Sequence, residues 1–276
     1  SVLGYLALSA ETTGHYHTAI GREALKTQNG ASNNTAVGRT AGMLITTGNE
    51  NTIVGAAAGD ALVDADGNVA IGYNSLGGDS YGSRSIAIGH AALLSQNFTT
   101  AANSFNIAIG YSTGAAITTG LNNTLIGGEA GDALTDSDRN VAVGKNALTT
   151  EALGQYATAI GYGALQTQYN STATDTYNVA VGYSAGLGVT TGIQNTLVGA
   201  LAGDALTDAD YNNALGISAL STDTKGNRSV AIGGSALYTQ NFTTSTDTYN
   251  TAVGHGTGYA ITTGVENTLI GGQAGD

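Results

Sequence analysis

A glycine returns every 17 residues through most of this 276-residue chain, each time closing a short phrase of small or β-branched, apolar, apolar, Gly. The positions are Gly4, Gly21, Gly38, Gly55, Gly72, Gly89, Gly110, Gly127, Gly144, Gly161, Gly182, Gly199, Gly216, Gly233, Gly254 and Gly271. The step lengthens to 21 at Gly89 to Gly110, Gly161 to Gly182 and Gly233 to Gly254, so Gly38, Gly110, Gly182 and Gly254 stand 72 residues apart. The longer period is visible in ITTGLNNTLIGGEAGDALTDSDRN from Ile117 and VTTGIQNTLVGALAGDALTDADYN from Val189. Self-similarity at a fixed period is the signature of stacked units that bury their apolar faces only against their neighbours. A low-complexity linker would not hold its apolar residues in phase through every unit.

Within each phrase the residues alternate, as in Thr18-Ala19-Ile20, Ile107-Ala108-Ile109 and Val179-Ala180-Val181. Period two with β-branched residues at the first and third places indicates a strand. A second apolar pair, Ala24-Leu25, Ala92-Leu93 or Ala147-Leu148, supplies a second short strand or a corner. Seventeen residues at about 3.3 Å make a circuit of roughly 56 Å, and two turns between sheets about 10 Å apart leave about five residues per face. One repeat therefore completes one coil. The expected fold is all-β, a parallel β-solenoid (β-roll) of about sixteen 17-residue coils with a 72-residue superrepeat, one continuous array over residues 1–276. At about 4.8 Å per coil the array is a rod of roughly 75 Å. Its interior is expected to hold Ile, Val, Ala and Leu. The small mid-strand residues suggest a flat Ala face packing against sister chains, with a homotrimer preferred over a monomer. The lack of Pro fits strands that pair on both sides.

Composition narrows the function. With 20 acids against 8 Lys plus Arg, the net charge of −12 speaks against nucleic acid, which needs clustered cations. No apolar run approaches the roughly 18 residues of a membrane span. There is no Cys, which excludes a disulfide scaffold. The opening SVLGYLALSAETTG has neither an initiator Met nor a signal-peptide pattern. The close, Gly275-Asp276, falls in phase with Gly59-Asp60, Gly131-Asp132 and Gly203-Asp204. Both ends read as a fragment of a longer fibrous protein, or as a subunit of an end-to-end homopolymer whose open edges pair.

The phrases NTAVGRTAG at Asn34, NIAIGYSTG at Asn106 and NVAVGYSAG at Asn178 resemble the head repeats of trimeric autotransporter adhesins. They resemble still more the 17-residue arrays that precede endosialidase-type chaperone domains in phage tail fibres. The resemblance covers essentially the whole chain. It implies a left-handed β-roll in a trimeric, rod-like protein outside the cell or on a virion or cell surface. Adhesin heads use shorter repeats, and neither a coiled-coil stalk nor a chaperone domain is present here.

Three polar features invite chemistry. The GDALxDxDxN stretch places Asp64, Asp66 and Asn68, then Asp136, Asp138 and Asn140, then Asp208, Asp210 and Asn212 in an alternating pattern like the opening of a calcium loop. No closing Glu follows, so a solvated turn capped by Asx hydrogen bonds is the competing reading. The three insertions, SQNFTTAANSFN, TQYNSTATDTYN and TQNFTTSTDTYN, bulge from a rigid scaffold where recognition commonly sits. Their aromatic residues, among them Phe98 and Phe242, suit contact with a cell-surface glycan, unless the rings only cover the end of a core. The same loops carry glycosylation triplets at Asn97, Asn170 and Asn241. Thr-Thr-Gly at Thr46, Thr118, Thr190 and Thr262 recurs only on every fourth coil, too sparse for an ice-binding ladder. The four histidines, His15, His17, His90 and His255, share no spacing with a Ser or acid partner, and no catalytic constellation is found. The expected role is structural or adhesive, with no enzyme activity and no cofactor beyond the calcium considered above. A homopolymeric filament and a carbohydrate-binding module are the alternatives.

Overall fold

The computed structural model describes all 276 residues and contains no helix. The chain divides into two compact units, Ser1–Arg139 and Asn140–Asp276. In the first unit, eight short strands form a parallel ladder: Val2–Leu3, Thr18–Ile20, Thr35–Val37, Thr52–Val54, Val69–Ile71, Ile86–Ile88, Ile107–Ile109 and Thr124–Ile126. The second unit has its own eight: Val141–Val143, Thr158–Ile160, Val179–Val181, Thr196–Val198, Asn213–Leu215, Val230–Ile232, Thr251–Val253 and Thr268–Ile270. Thr18 pairs with Thr35 and Ile20 with Val37, one repeat apart, while Ile86 pairs with Ile107 across an insertion. Each repeat is one coil of a parallel β-solenoid.

Apart from the two-residue Val2–Leu3, these strands are three residues long, shorter than the circuit estimate suggests, and the second apolar pair is a corner and not a strand. There the backbone alternates into the left-handed region, with Glu23 at φ 61° and the buried Leu25 at φ 50°. Such residues cost about 1–3 kcal/mol each. The stacking offsets this cost. The corner amides donate to the adjacent coils, Glu23 N–H to the Tyr5 carbonyl at 2.8 Å and Leu25 N–H to the Ala41 carbonyl at 3.0 Å.

The orientation of the strands differs from expectation. The middle residue points inward and is fully buried: Ala19, Ala36, Ile53, Ala70, Ala87 and Ala108 in the first unit. The flanking β-branched residues mostly face outward, with Ile20 still 37 % exposed. The interior is thus filled by Ala and Leu, supplemented by Ile45, Ile53, Ile117 and Val189, and not by the strand Ile and Val generally. No Ala face is offered to a sister chain.

A third component of the interior is polar. Asn34, Asn51 and Asn68 are fully buried and stack one above another. The Asn34 side-chain oxygen accepts from Asn51 N–H at 2.8 Å, and the Asn51 oxygen from Asn68 N–H at 2.9 Å. Each amide nitrogen donates to a carbonyl 14 residues on, Gly48 at 2.6 Å, Ala65 at 2.7 Å and Gly82 at 2.9 Å. Asn178, Asn195 and Asn212 repeat the arrangement in the second unit. These side chains satisfy backbone groups that the short strands leave unpaired inside the coil, where an unmatched group costs about 1–3 kcal/mol.

The 72-residue period has a volumetric cause. In two successive coils the corner residue is Leu, as Leu76 and Leu93, and the inward residue three places on is polar, Asp79 and Gln96. In the next two the corner is Gly, and Ile117 and Leu134 fill the space. A Cβ on Gly114 would lie 2.9 Å from Leu125 Cδ1 and 3.1 Å from Ile117 Cδ1, so Leu cannot occupy both places at once.

Candidate interaction surfaces

The polar coils of each block hold a buried carboxylate at the foot of the insertion. Asp79 is fully buried, and its Oδ1 accepts from Gly82 N–H at 3.0 Å and Phe98 N–H at 3.1 Å. Its Oδ2 accepts from the Gln96 amide at 2.6 Å, and Gln96 also bonds Ser85 at 2.9 Å. Asp223 repeats this with Gly226, Phe242, Gln240 and Ser229. In the middle block Glu151 takes the place of Asp, and Asn170 replaces the Phe. Glu151 accepts from Gly154 N–H at 2.7 Å, Asn170 N–H at 3.0 Å, the Asn170 amide at 2.8 Å and the Gln168 amide at 2.9 Å. A longer acid is thereby matched to a smaller, hydrogen-bonding neighbour. The donors around these buried carboxyl groups are backbone and side-chain amides, which satisfy the oxygens away from water.

Glu11, with Gln28 17 residues on, is the corresponding acid in the first coil. Burial pushes its carboxyl up, but N–H groups of Gly14, Gly30 and Thr13 and the Gln28 amide outweigh that, and its pKa falls from 4.5 to about 2. A group lowered on folding contributes stability above its unfolded pKa and loses it as pH falls through the folded value. At Asp60 and Asp204 burial prevails over the hydrogen bonds, and their carboxyls are raised. The test is therefore a difference. The stability gap between wild type and Glu11→Gln, followed by urea denaturation, is expected to be full at pH 6–7 and to close between about pH 4.5 and 2. A gap that does not change over that window would refute the assignment.

The insertions add a second small ladder. Ala102–Asn103 pairs with Gly82–Ser83, Thr174–Asp175 with Gly154–Gln155, and Thr246–Asp247 with Gly226–Asn227. Phe98 and Phe242 are 8 % and 7 % exposed, so they close the coil and are not outcrops. Asn170 is buried with its amide committed to Glu151, which removes it as a glycosylation acceptor in the folded chain. Asn97 and Asn241 are exposed. The aromatic surface of the loops is formed by Tyr169, Phe105, Tyr177 and Tyr249, each about half exposed. Their neighbours are ordered: Tyr177 stacks on Tyr156 at 5.2 Å, and Arg228 lies between Tyr211 at 4.7 Å and Tyr249 at 5.9 Å while pairing with Asp247 at 3.1 Å.

The Asp-x-Asp-x-Asn stretches do not converge. Asp64 accepts from Thr47 Oγ1 at 2.7 Å and Asp66 from Asn49 N–H at 2.7 Å, while Asn68 turns into the interior ladder. Asp136 and Asp138 do the same with Thr119 and Leu121, and Asn140 is buried. Asp208 faces Lys225 Nζ at 3.3 Å, Asp210 accepts from Ile193 N–H at 2.8 Å, and Asn212 is buried. The Asp side chains tie one coil to the next across 17 residues and do not cap their own turns through local Asx hydrogen bonds.

The surface that sequence reasoning missed is the outer face of the sheet. The third strand position shows a file of apolar side chains, Ile20, Val37, Val54, Ile71, Ile88, Ile109 and Ile126 in the first unit, beside a file of Thr, Val and Ile. In the second unit Ile160, Val198, Leu215 and Ile232 are 37–38 % exposed. The signal was present in the alternation itself, but alternation carries no indication of which set faces inward.

These features define a parallel β-solenoid repeat protein with an aliphatic outer stripe and anchored lateral loops. No family model, no curated protein and no solved structure matches the chain.

Proposed function

We propose that the chain is a structural repeat segment of a homotrimeric extracellular fibre, the shaft or head of a phage tail fibre or a bacterial surface adhesin. The observation that supports this is the aliphatic stripe, repeated on coil after coil of each unit. Completing the burial of a side chain already two-thirds covered is worth on the order of 0.5–1 kcal/mol. Eight coils in register then supply several kcal/mol per unit, within the range of about 4–15 kcal/mol that association costs. A partner with the same coil rise meets the stripe rung for rung, which a second copy does by construction. The role is mechanical: stacked ladders stiffen the segment, and the buried carboxylates hold the lateral loops at fixed intervals. The motif resemblance points to the same class of protein.

The chain at about 50 μM is expected to have three times its 27.4 kDa mass by multi-angle light scattering. Ile88→Asp with Ile160→Asp is expected to reduce it to a monomer that keeps its β-sheet circular dichroism. A monomeric wild type at that concentration would exclude the proposal.

A further inference from the structure

From Thr18–Ile20 onward, the residues two places before each three-residue strand form a surface file of their own, every one in the left-handed region, and this file has one missing rung. In the second unit the file runs Gln194, Tyr211, Arg228, Tyr249, with φ of 57°, 60°, 61° and 50°. Arg228 lies between two aromatic rings, Tyr211 at 4.7 Å and Tyr249 at 5.9 Å from its guanidinium carbon. The corresponding run 144 residues earlier is Glu50, Gly67, Arg84, Phe105. Arg84 keeps the ring on one side, Phe105 at 5.8 Å. On its other side, where Tyr211 sits in the second unit, there is Gly67.

What remains there is a notch of about 330 Å³ lined by Asn33, Asn49, Glu50, Asp66, Gly67 and Arg84. Glu50 and Arg84 are two rungs apart, about 9–10 Å at the usual strand spacing. One aromatic ring in van der Waals contact on both faces needs about 7–8 Å. A side chain can begin there without a clash, since the nearest atom to a Cβ built on Gly67 is Arg84 Cγ at 3.9 Å. The guanidinium offers a cation to a ring face, and Glu50, Asp66 and the two Asn side chains offer acceptors at the rim.

We propose that the Gly67 notch is a binding site for a phenolic ring, which stacks on Arg84 in the place that Tyr211 takes against Arg228 and donates its hydroxyl to the acidic rim. The ring is either that of a free phenolic ligand or a tyrosine of a second copy of this chain. The chemistry is the same, and the two sources separate by experiment.

The probe is p-cresol, with cyclohexanol as a non-aromatic control, read by the Arg84 Nε–Hε resonance of the full chain. The expected result is a saturable shift with p-cresol in the millimolar range and none with cyclohexanol. Gly67→Tyr fills the rung from within and is expected to abolish the response; Tyr211 shows that Tyr is accepted at this backbone conformation. Arg84→Lys, which keeps the charge but loses the planar stacking face, is expected to weaken p-cresol at least about tenfold, read in that variant through the Gly67 backbone amide resonance, and is a second variant independent of the glycine. If the ring comes from a second copy, the Arg84 resonance moves on dilution without additive, and Gly67→Tyr removes that dependence. If it comes from a free ligand, only the additive moves it. An Arg84 resonance that neither p-cresol nor dilution moves, or that cyclohexanol moves equally, overturns the proposal.

Discussion

Alanine at Gly38 is expected to lower stability by about 3 kcal/mol or more, a large loss for the addition of a single methyl group. Gly38 closes its strand at φ 144°, a region open to glycine and strained for any other residue. The added Cβ would also fall 2.2 Å from the Gly55 carbonyl oxygen of the next coil. Gly55 is held on both sides of that oxygen, its N–H donating to the Val37 carbonyl at 2.8 Å and its carbonyl accepting from Ala58 N–H at 3.5 Å, so a retreat would disturb these hydrogen bonds. The measurement is the urea midpoint of Gly38→Ala against Arg39→Ala, its exposed neighbour, for which a change within about 0.5 kcal/mol is expected. Equal midpoints would show that the corner tolerates a side chain.

Removing one rung of the interior Asn ladder is expected to cost nearly as much. Asn51→Ala leaves Asn68 N–H without its acceptor at 2.9 Å and the Ala65 carbonyl without its donor at 2.7 Å, both away from water. At about 1–3 kcal/mol per stranded group, the loss is about 2–6 kcal/mol, with a cavity adding to it. The effect has a location as well as a size. Amide exchange at Asn68 is expected to accelerate at least about tenfold, while Asn195 in the second unit is unaffected. Unchanged exchange at Asn68 would mean that the ladder is not holding the coil.

Much of the fold was legible because the repeat is covalent information. The Gly spacing gives the length of a circuit, the alternation gives a strand, and the two together leave a parallel coil as the economical solution. The insertions were legible for the same reason, as departures from a counted period. The buried acids were available too: Glu11 and Gln28, Asp79 and Gln96, Glu151 and Gln168, Asp223 and Gln240 each stand 17 residues apart and seven after a corner glycine. They escaped notice because an acid in a Gly- and Asn-rich turn looks like any solvated residue. Its burial follows from packing with the next coil. Phe98 and Asn170 show the same limit, since they occupy equivalent places 72 residues apart and both are buried for reasons of fit to Asp79 and Glu151.

Sequence alone determined that each repeat is one circuit, that four circuits make a block, and where the lateral loops emerge. Only the tertiary structure decided which residues of each strand face inward. Alternation has a period but no sign, and the sign is settled by volume: the interior already holds Leu25, Leu76 and Leu93 from the corners and the Asn ladder beside them. Ala fits opposite those side chains in most coils. The Ile and Val on either side of it are left on the outside, where they form the face available to another chain.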